Sequence, residues 1–240
     1  RPPVRRRNAP GGSRFPCGPL RAMGLADMDA LTLLELAWFC IDATTHLTLE
    51  LAYLYLALTV TPERSDTLFG GVWRLYGVAD ARWAVRDVDV IVVELVTVVL
   101  IGPLCVLAIY GVLRNAPWRH LLVALISAIE LVGGWYTFAP EWFSGNANLV
   151  GTDKPVEHFI YLWFMNGLWV VIPLVLLWNS SARIVAACER AKMNTAPAHL
   201  VPAAPAPRGW AVVASWTFLA AYVVLVPAVL LTAEPVPVRA

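Results

Sequence analysis

The chain has 240 residues, of which 59% are hydrophobic and 15% charged, with a formal net charge of +1. Typical soluble domains contain about 45–50% apolar and about 25% charged residues. The composition therefore excludes a secreted disulfide scaffold, a disordered regulator and a soluble nucleic-acid-binding protein, and it predicts a membrane protein with several spans. The four cysteines are far apart in the sequence and are expected to pack as small hydrophobic residues.

An Arg-rich tail, residues 1–29, precedes the apolar part of the chain. We interpret this tail as a disordered segment held against anionic headgroups, with the remnant of an organelle transit peptide as the alternative. Apolar blocks follow it, and a helix needs about 20 such residues to cross a ~30 Å hydrocarbon core. The blocks run from about 31 to 60, 88 to 113, 121 to 138, 156 to 178 and 210 to 231.

These blocks predict an all-α membrane protein, a bundle of five transmembrane helices with an intramembrane ligand cavity. The expected domains are the tail (1–29), a four-helix domain (30–185), a linker rich in Ala and Pro (186–209) and an additional C-terminal helix (210–232). Basic loops alternate with neutral or acidic ones along the chain. The positive-inside rule then places the N-terminus and residues 183–209 in the cytosol, and the C-terminus across the membrane.

The first block carries ionisable residues at helical spacing. Asp42, His46 and Glu50 follow one another at i, i+4 positions, and Tyr53 lies one turn further on. Side chains at this spacing share one face of a helix, so His46 can hydrogen-bond to a carboxylate on either side. A charge at the bilayer centre costs about 2.5–3.5 kcal/mol on insertion scales, and such residues usually mark a functional site. A polar stripe that only joins helices is the alternative interpretation.

The other blocks each contribute polar residues to the predicted bundle interior. Glu94 and Thr97 share a face of the second helix, and Glu130 lies in the third helix close to two glycines. A structural hydrogen bond is as well supported for Glu130 as a chemical role. Asn166 and Trp169 are i, i+3 neighbours in the fourth helix, where an indole can hold a cation against its π face.

This set of residues favours proton transfer. A metal site through His46, Glu50 and Glu94 lacks a second imidazole ligand at the same depth, and the sequence contains no nucleotide-binding motif. We therefore predict neither a metal nor a cofactor. A proton donor and a proton acceptor facing an apolar substrate in a dry pocket can shift a double bond through a carbocation.

The chain resembles the emopamil-binding protein family of membrane sterol isomerases, which have an EXPERA-type membrane domain. The resemblance covers roughly residues 38 to 179 and depends on the order and spacing of short motifs. These are Thr45-His46-Leu47-Thr48-Leu49-Glu50, Trp73-Arg74-Leu75-Tyr76, Asp80-Ala81-Arg82-Trp83, Asp87, Glu94-Leu95-Val96-Thr97, Gly102-Pro103-Leu104, Leu113-Arg114-Asn115-Ala116-Pro117-Trp118-Arg119 and Phe164-Met165-Asn166-Gly167-Leu168-Trp169.

The resemblance implies which residues carry the function. The catalytic set is expected to be His46, Glu50, Glu94, Asn166 and Trp169. Substrate contacts are expected from Thr97, Trp83, Asp87, Tyr53 and Glu130. The sequence departs from the family in several places: Glu130 and Gly134 replace a Gln and an Asp, Trp83 replaces a Tyr, a basic tail stands where the family has a first helix, and another helix follows the shared core.

The function implied by the resemblance is the isomerisation of a Δ8 sterol to its Δ7 isomer in the endoplasmic reticulum membrane. Two alternatives stay open: a non-catalytic binder of sterols or amphiphiles that resembles the sigma-2 receptor, and an isomerase of another triterpenoid. The expected partners are the sterol or triterpenoid substrate, cationic amphiphilic inhibitors and the lipid bilayer, with no nucleic acid. The sequence is also compatible with a homodimer.

Overall fold

The computed structural model describes residues 23–195, which form helices joined by turns and one isolated β-bridge. Residues 1–22 of the predicted tail, residues 196–209 of the linker and the helix predicted at 210–232 lie outside this part of the chain. The helices are α1 (Ala30–Thr44, Thr45–Glu50 and Leu51–Thr59), α2 (Leu68–Tyr76), α3 (Val88–Val96, Thr97–Ile101 and Gly102–Leu113), α4 (Arg119–Phe143) and α5 (Val156–Met165 and Asn166–Thr195). The all-helical prediction is confirmed for the described residues.

Among the described residues, three helices are long and apolar enough to cross a membrane: Val88–Leu113, Arg119–Phe143 and Val156–Met193. Helix α1 is as long as these, but Glu35, Asp42, His46 and Glu50 interrupt its apolar sequence. The chain is thus a membrane protein, and the count of five crossings stays a prediction.

Helices α5 and α4 differ in length from the sequence-based expectation, and α2 is an additional helix. Helix α5 continues to Thr195 rather than ending at Trp178, because residues 179–195 are rich in Ala, Arg, Glu and Lys, which favour helix without being apolar. Helix α4 likewise extends beyond its apolar block at both ends. Helix α2 was not predicted; it begins where the Thr67 hydroxyl accepts a hydrogen bond from Gly70 N, at 3.1 Å.

Helices α1, α3 and α5 each contain one π-helical segment: Thr45–Glu50, Thr97–Ile101 and Val156–Met165. Such segments are uncommon and occur frequently at functional sites. In α1 the Thr45 and Thr48 hydroxyls donate to the carbonyls of Ile41 and Thr44, which satisfies backbone acceptors near the change in helix geometry. Every residue of the four-helix domain that the sequence identified as catalytic lies in or within four residues of one of these segments.

The hydrophobic core contains residues of α1, α3, α4 and α5. Its buried members are Trp38, Phe39, Ala43, Ile101, Cys105, Ala108, Val123, Ile126 and Leu176. Helices α1 and α3 approach closely at Gly102, where a Cβ atom would lie 2.8 Å from Cδ2 of Leu47 and 3.2 Å from Cβ of His46. The absence of a side chain at Gly102 therefore determines how near α3 comes to His46.

A second, polar cluster secures the loop between α2 and α3 against the end of α4. Arg82 donates from Nη2 to Asp80 Oδ2 at 2.6 Å and from Nη1 to the Thr137 carbonyl at 2.8 Å, and its Nε lies 3.4 Å from Glu141 Oε1. All the charged groups in this network are buried. The network fixes the loop that carries Trp83, one of the residues expected to contact substrate.

Candidate active site

Helix α1 presents three ionisable side chains to the bundle interior. His46 is 2% exposed and lies between two carboxylates of its own helix. Its Nδ1 donates to Glu50 Oε2, and its Nε2 lies 3.1 Å from Asp42 Oδ1. The i, i+4 spacing thus predicted both neighbours, although Nε2 forms no hydrogen bond despite its distance to Asp42. An imidazole between two carboxylates is held in one orientation and is favoured in its protonated form.

Helix α3 faces this column with a further carboxyl. Glu94 is 3% exposed and interacts with the carboxyl of Glu50. The Thr97 hydroxyl donates to Glu94 Oε2 at 3.2 Å, and Thr97 begins the π-helical segment of α3. His46, Glu50 and Glu94 are thus three ionisable groups near the contact between α1 and α3.

Asp42 connects α1 to two other helices. Its Oδ1 accepts a hydrogen bond from the Trp169 indole N–H of α5 at 2.9 Å, and its Oδ2 accepts one from Cys105 Sγ of α3 at 3.1 Å. Asp42 is completely buried. Sequence analysis placed Asp42 beside His46 but did not identify these contacts, and it treated Cys105 only as a small apolar residue. Because the residues are 127 and 63 positions from Asp42, helical periodicity alone could not pair them.

Glu130 of α4 lies on the other side of Asp42. Asp42, His46 and Glu130 each offer one ligand atom, and these three atoms all lie within 4.8 Å of one another. The three residues could therefore hold a metal ion. This group differs from the combination of His46, Glu50 and Glu94 that the sequence suggested for a metal. The structure thus brings together six residues expected at the site: His46, Glu50, Glu94, Thr97, Glu130 and Trp169.

Two other expected substrate-contacting residues, Tyr53 and Trp83, lie in an aromatic cluster one turn beyond Glu50. Trp83 stacks on Trp73 with ring centroids 4.7 Å apart and an interplanar angle of 10°, and Tyr53 packs against both rings at 4.8 and 5.4 Å. Trp73 and Tyr76 come from α2, a helix that the sequence analysis did not predict. The cluster forms an apolar and aromatic boundary beside the ionisable groups.

Asn166 and Asp87 make local contacts with the protein. Asn166 Nδ2 donates to the Tyr76 hydroxyl at 2.8 Å and to the carbonyls of Tyr161 and Leu162, at the end of the π-helical segment of α5. Burial raises the pKa of the Tyr76 phenol above its usual range, so this hydroxyl stays protonated. Asp87 caps α3 by accepting from Val90 N at 3.0 Å. Neither side chain is among the groups surrounding His46.

Three glycines of α4 and α5 have open space beside them, and the intramembrane ligand cavity stays a prediction. A Cβ atom added at Gly133, Gly134 or Gly167 would meet no atom within 4 Å outside its own helix. A separate cavity of about 310 Å³ lies near the start of α4 and is lined by Pro117, Trp118, His120, Leu121, Arg183, Ile184, Ala187 and Cys188. None of these lining residues belongs to the group around His46.

The fold and the site define an α-helical membrane protein with a buried acid–base cluster, and comparison with known proteins agrees. Residues 68–180 match the family model described as EXPERA, the expanded EBP superfamily. This match agrees with the resemblance to the emopamil-binding protein family that the sequence indicated.

Curated relatives extend the similarity beyond the matched domain. The chain is 31% identical over 147 residues to a 3-beta-hydroxysteroid-Delta(8),Delta(7)-isomerase of Cavia porcellus, covering 61% of this chain and 63% of that protein. It is 27% identical over 160 residues to a probable isomerase of the same name from Oryza sativa, and the match covers 67% of this chain and 71% of that protein. A protoglabretal synthase of Ailanthus altissima is 23% identical over 152 residues, and the match covers 63% of this chain and 68% of that protein. The chain thus spans less than two thirds of the Cavia porcellus protein.

Proposed function

We propose that this protein is an integral membrane sterol isomerase that moves a ring double bond from Δ8 to Δ7. The observation that carries the proposal is the position of His46 between Asp42 and Glu50, with Glu94 next to Glu50. A protonated imidazole and a nearby carboxylate supply the acid and the base that such a shift requires. The names of the isomerases similar to this chain support the same reaction.

The first step adds a proton to the alkene. His46, held by its two carboxylate neighbours, donates a proton to C9, and the electron pair of the C8–C9 double bond forms the new C–H bond. A positive charge then develops at C8. Because His46 is 2% exposed, little water competes for this cation.

The second step removes a different proton. Glu94 accepts the proton from C7, and the electrons of that C–H bond form the C7–C8 double bond. One proton is gained and one is lost, so the reaction requires no oxidant or reductant. The proton that Glu94 takes up must return to His46 Nε2 before the next turnover.

Trp169 is suited to stabilising the cationic intermediate. Its N–H bond to Asp42 fixes the ring beside His46, and Trp38 packs edge-on against it with centroids 5.1 Å apart. A cation over an indole face gains about 2 kcal/mol or more where water is excluded. The same interaction would attract cationic amphiphilic inhibitors, whose ammonium group resembles the carbocation.

We place the apolar body of the substrate in the open space beside Gly133, Gly134 and Gly167. Tyr53 and Trp83 then border the ring system, while Thr97 and Glu130 lie close to the reacting atoms. Asp87 and Asn166 support this wall through the α3 cap and the Tyr76 hydroxyl. The protein acts in the endoplasmic reticulum membrane as a multi-pass protein, with its N-terminus in the cytosol.

A related triterpenoid is the second candidate substrate class. Proteins named protoglabretal synthase, from Ailanthus altissima and Citrus sinensis, are 23% and 24% identical to this chain over 152 and 163 residues. The same acid–base set could shift a double bond in either skeleton. A non-catalytic binder of amphiphiles is the third candidate, and it has no need of the carboxyl of Glu94.

Expression of the full chain in a yeast strain that lacks its own Δ8 isomerase tests the proposal. Sterol profiling should show Δ7 sterols with the wild-type chain and accumulated Δ8 sterols with His46→Ala at equal protein level. Accumulated Δ8 sterols with the wild type would contradict the sterol proposal. Conversion of a triterpenoid alkene by the same membranes would then favour the second candidate, and amphiphile binding without conversion would favour the third.

A further inference from the structure

We propose that Asp42, His46 and Glu130 form a binding site for a divalent transition-metal ion, with Zn²⁺ as the preferred ion. The three ligand atoms lie within 4.8 Å of one another, and all three side chains are buried. The proposal goes beyond isomerisation, because metal binding here requires no sterol.

Glu130 gives the independent reason to expect a ligand. It is 7% exposed, and neither of its carboxylate oxygens has a hydrogen-bond partner. A carboxylate buried without a partner is strongly disfavoured unless a proton or a cation neutralises it. Three arginines lie within 4.0 Å of other carboxylates: Arg82 of Asp80 and Glu141, Arg119 of Glu35, and Arg183 of Asp29.

The imidazole is oriented as a metal ligand requires. Its Nδ1–H donates to Glu50, which leaves the Nε2 lone pair of the neutral ring directed towards Asp42 and Glu130. This carboxylate–histidine arrangement is the usual support for a metal-bound histidine, since it fixes the tautomer and raises the basicity of the ligand. The hydrogen bonds from Trp169 and Cys105 hold Asp42 in the same way.

The donor set favours Zn²⁺ over the harder cations. One imidazole nitrogen and two carboxylate oxygens suit Zn²⁺, whose bonds to these atoms are about 2.0–2.2 Å long. The 3.1 Å separation of His46 Nε2 and Asp42 Oδ1 fits two neighbouring ligands of a tetrahedral ion. Ca²⁺ and Mg²⁺ prefer six or more oxygen ligands, which these three residues do not supply.

Metal binding and proton transfer compete at the same atom. A Zn²⁺ ion on Nε2 occupies the lone pair that carries the proton of the imidazolium, so zinc should inhibit the isomerase. This consequence depends on the proposed function, whereas the binding site does not.

The direct test is equilibrium dialysis of the purified full chain in lipid nanodiscs against Zn²⁺. Glu130→Gln removes one ligand while nearly preserving side-chain shape, and Glu157→Gln at the start of α5 is the matched control. We expect Glu130→Gln to bind zinc at least about 10-fold more weakly, as for the loss of a supporting or direct ligand. Glu157→Gln should bind as the wild type does. Equal binding by the three proteins would overturn the proposal, because the exposed Cys40 and Cys188 would then account for the zinc. Absence of zinc binding by the wild type would overturn it directly.

X-ray absorption of the zinc-loaded wild type provides a test that requires no variant. The expected first shell contains one imidazole and oxygen ligands, and a shell containing sulfur would overturn the assignment. Failure of the proposed function is distinguishable, since it would appear as unconverted sterol while zinc binding stays intact.

Discussion

The indole N–H of Trp169 donates to the same Asp42 oxygen that lies 3.1 Å from His46 Nε2, at a distance of 2.9 Å. One carboxylate oxygen therefore positions both the proposed proton donor and the proposed cation-stabilising ring. The two residues come from helices separated by more than 120 positions in the chain. Their relative position depends on Asp42 rather than on local helix geometry.

Substitutions at Trp169 separate its two contributions. Trp169→Phe keeps an aromatic face but loses the hydrogen bond to Asp42, whereas Trp169→Ala loses both. We expect Trp169→Phe to retain more activity than Trp169→Ala, since a desolvated cation–π contact contributes about 2 kcal/mol or more. Both should bind cationic amphiphilic inhibitors less tightly. Inhibitor affinity and turnover measured on the same preparations check this, and intact inhibitor binding in Trp169→Ala would remove the ring from the mechanism.

Glu94→Gln should leave the fold intact and remove turnover, because the amide cannot accept the C7 proton. A positioned acid or base contributes roughly 10²–10⁴-fold to the rate. The measurement is conversion of a Δ8 sterol by purified protein, with Glu157→Gln as the control for loss of a carboxylate elsewhere. Activity near that of the wild type would show that another group is the base.

His46→Ala should abolish isomerisation, and Glu50→Gln should weaken it without abolishing it. The amide of Gln can still hold the imidazole, but it cannot stabilise the imidazolium by charge. Rates from both variants, measured at matched protein levels, check this order. An active His46→Ala would contradict the proposed proton donor and, if inhibitor binding were also retained, would favour the binder.

Gly102→Ala should destabilise the bundle at the contact between α1 and α3. A Cβ atom at this position meets Leu47 at 2.8 Å and His46 at 3.2 Å, and overpacking of this kind costs about 1–3 kcal/mol. Displacement of His46 should also lower kcat. Gly133→Ala is the control for stability alone, since nothing lies within 4 Å of its Cβ position and alanine favours helix. Equal thermal unfolding midpoints for the two variants would contradict the close approach.

The orientation of the protein can be tested in sealed microsomes. Loop charges predict that the N-terminus is cytosolic and that the C-terminus lies across the membrane. With a tag on each terminus, external protease should digest only the N-terminal tag. Digestion of the C-terminal tag would show that the number of crossings is not five.

Sequence periodicity predicted the parts of the site that lie on one helix. The column of Asp42, His46 and Glu50 follows from i, i+4 spacing, and the bounds of α3 follow from its continuous apolar sequence. Contacts between helices could not be predicted in this way. Trp169 with Asp42, and Asn166 with Tyr76, depend on how helices cross, which is decided by small residues such as Gly102 and by the π-helical segments.

The polar face of α1 has a consequence for how the protein is made. Each ionised side chain at the centre of a lone helix costs about 2.5–3.5 kcal/mol to insert, and α1 carries Glu35, Asp42 and Glu50 on one side. His46 of α1 itself contacts Glu50, but Cys105 and Trp169, which donate to Asp42, belong to helices synthesised later, as does Arg119, which lies 4.0 Å from Glu35. We therefore expect α1 to settle stably among the other helices only after α3 and α5, which carry the partners of Asp42, have been synthesised.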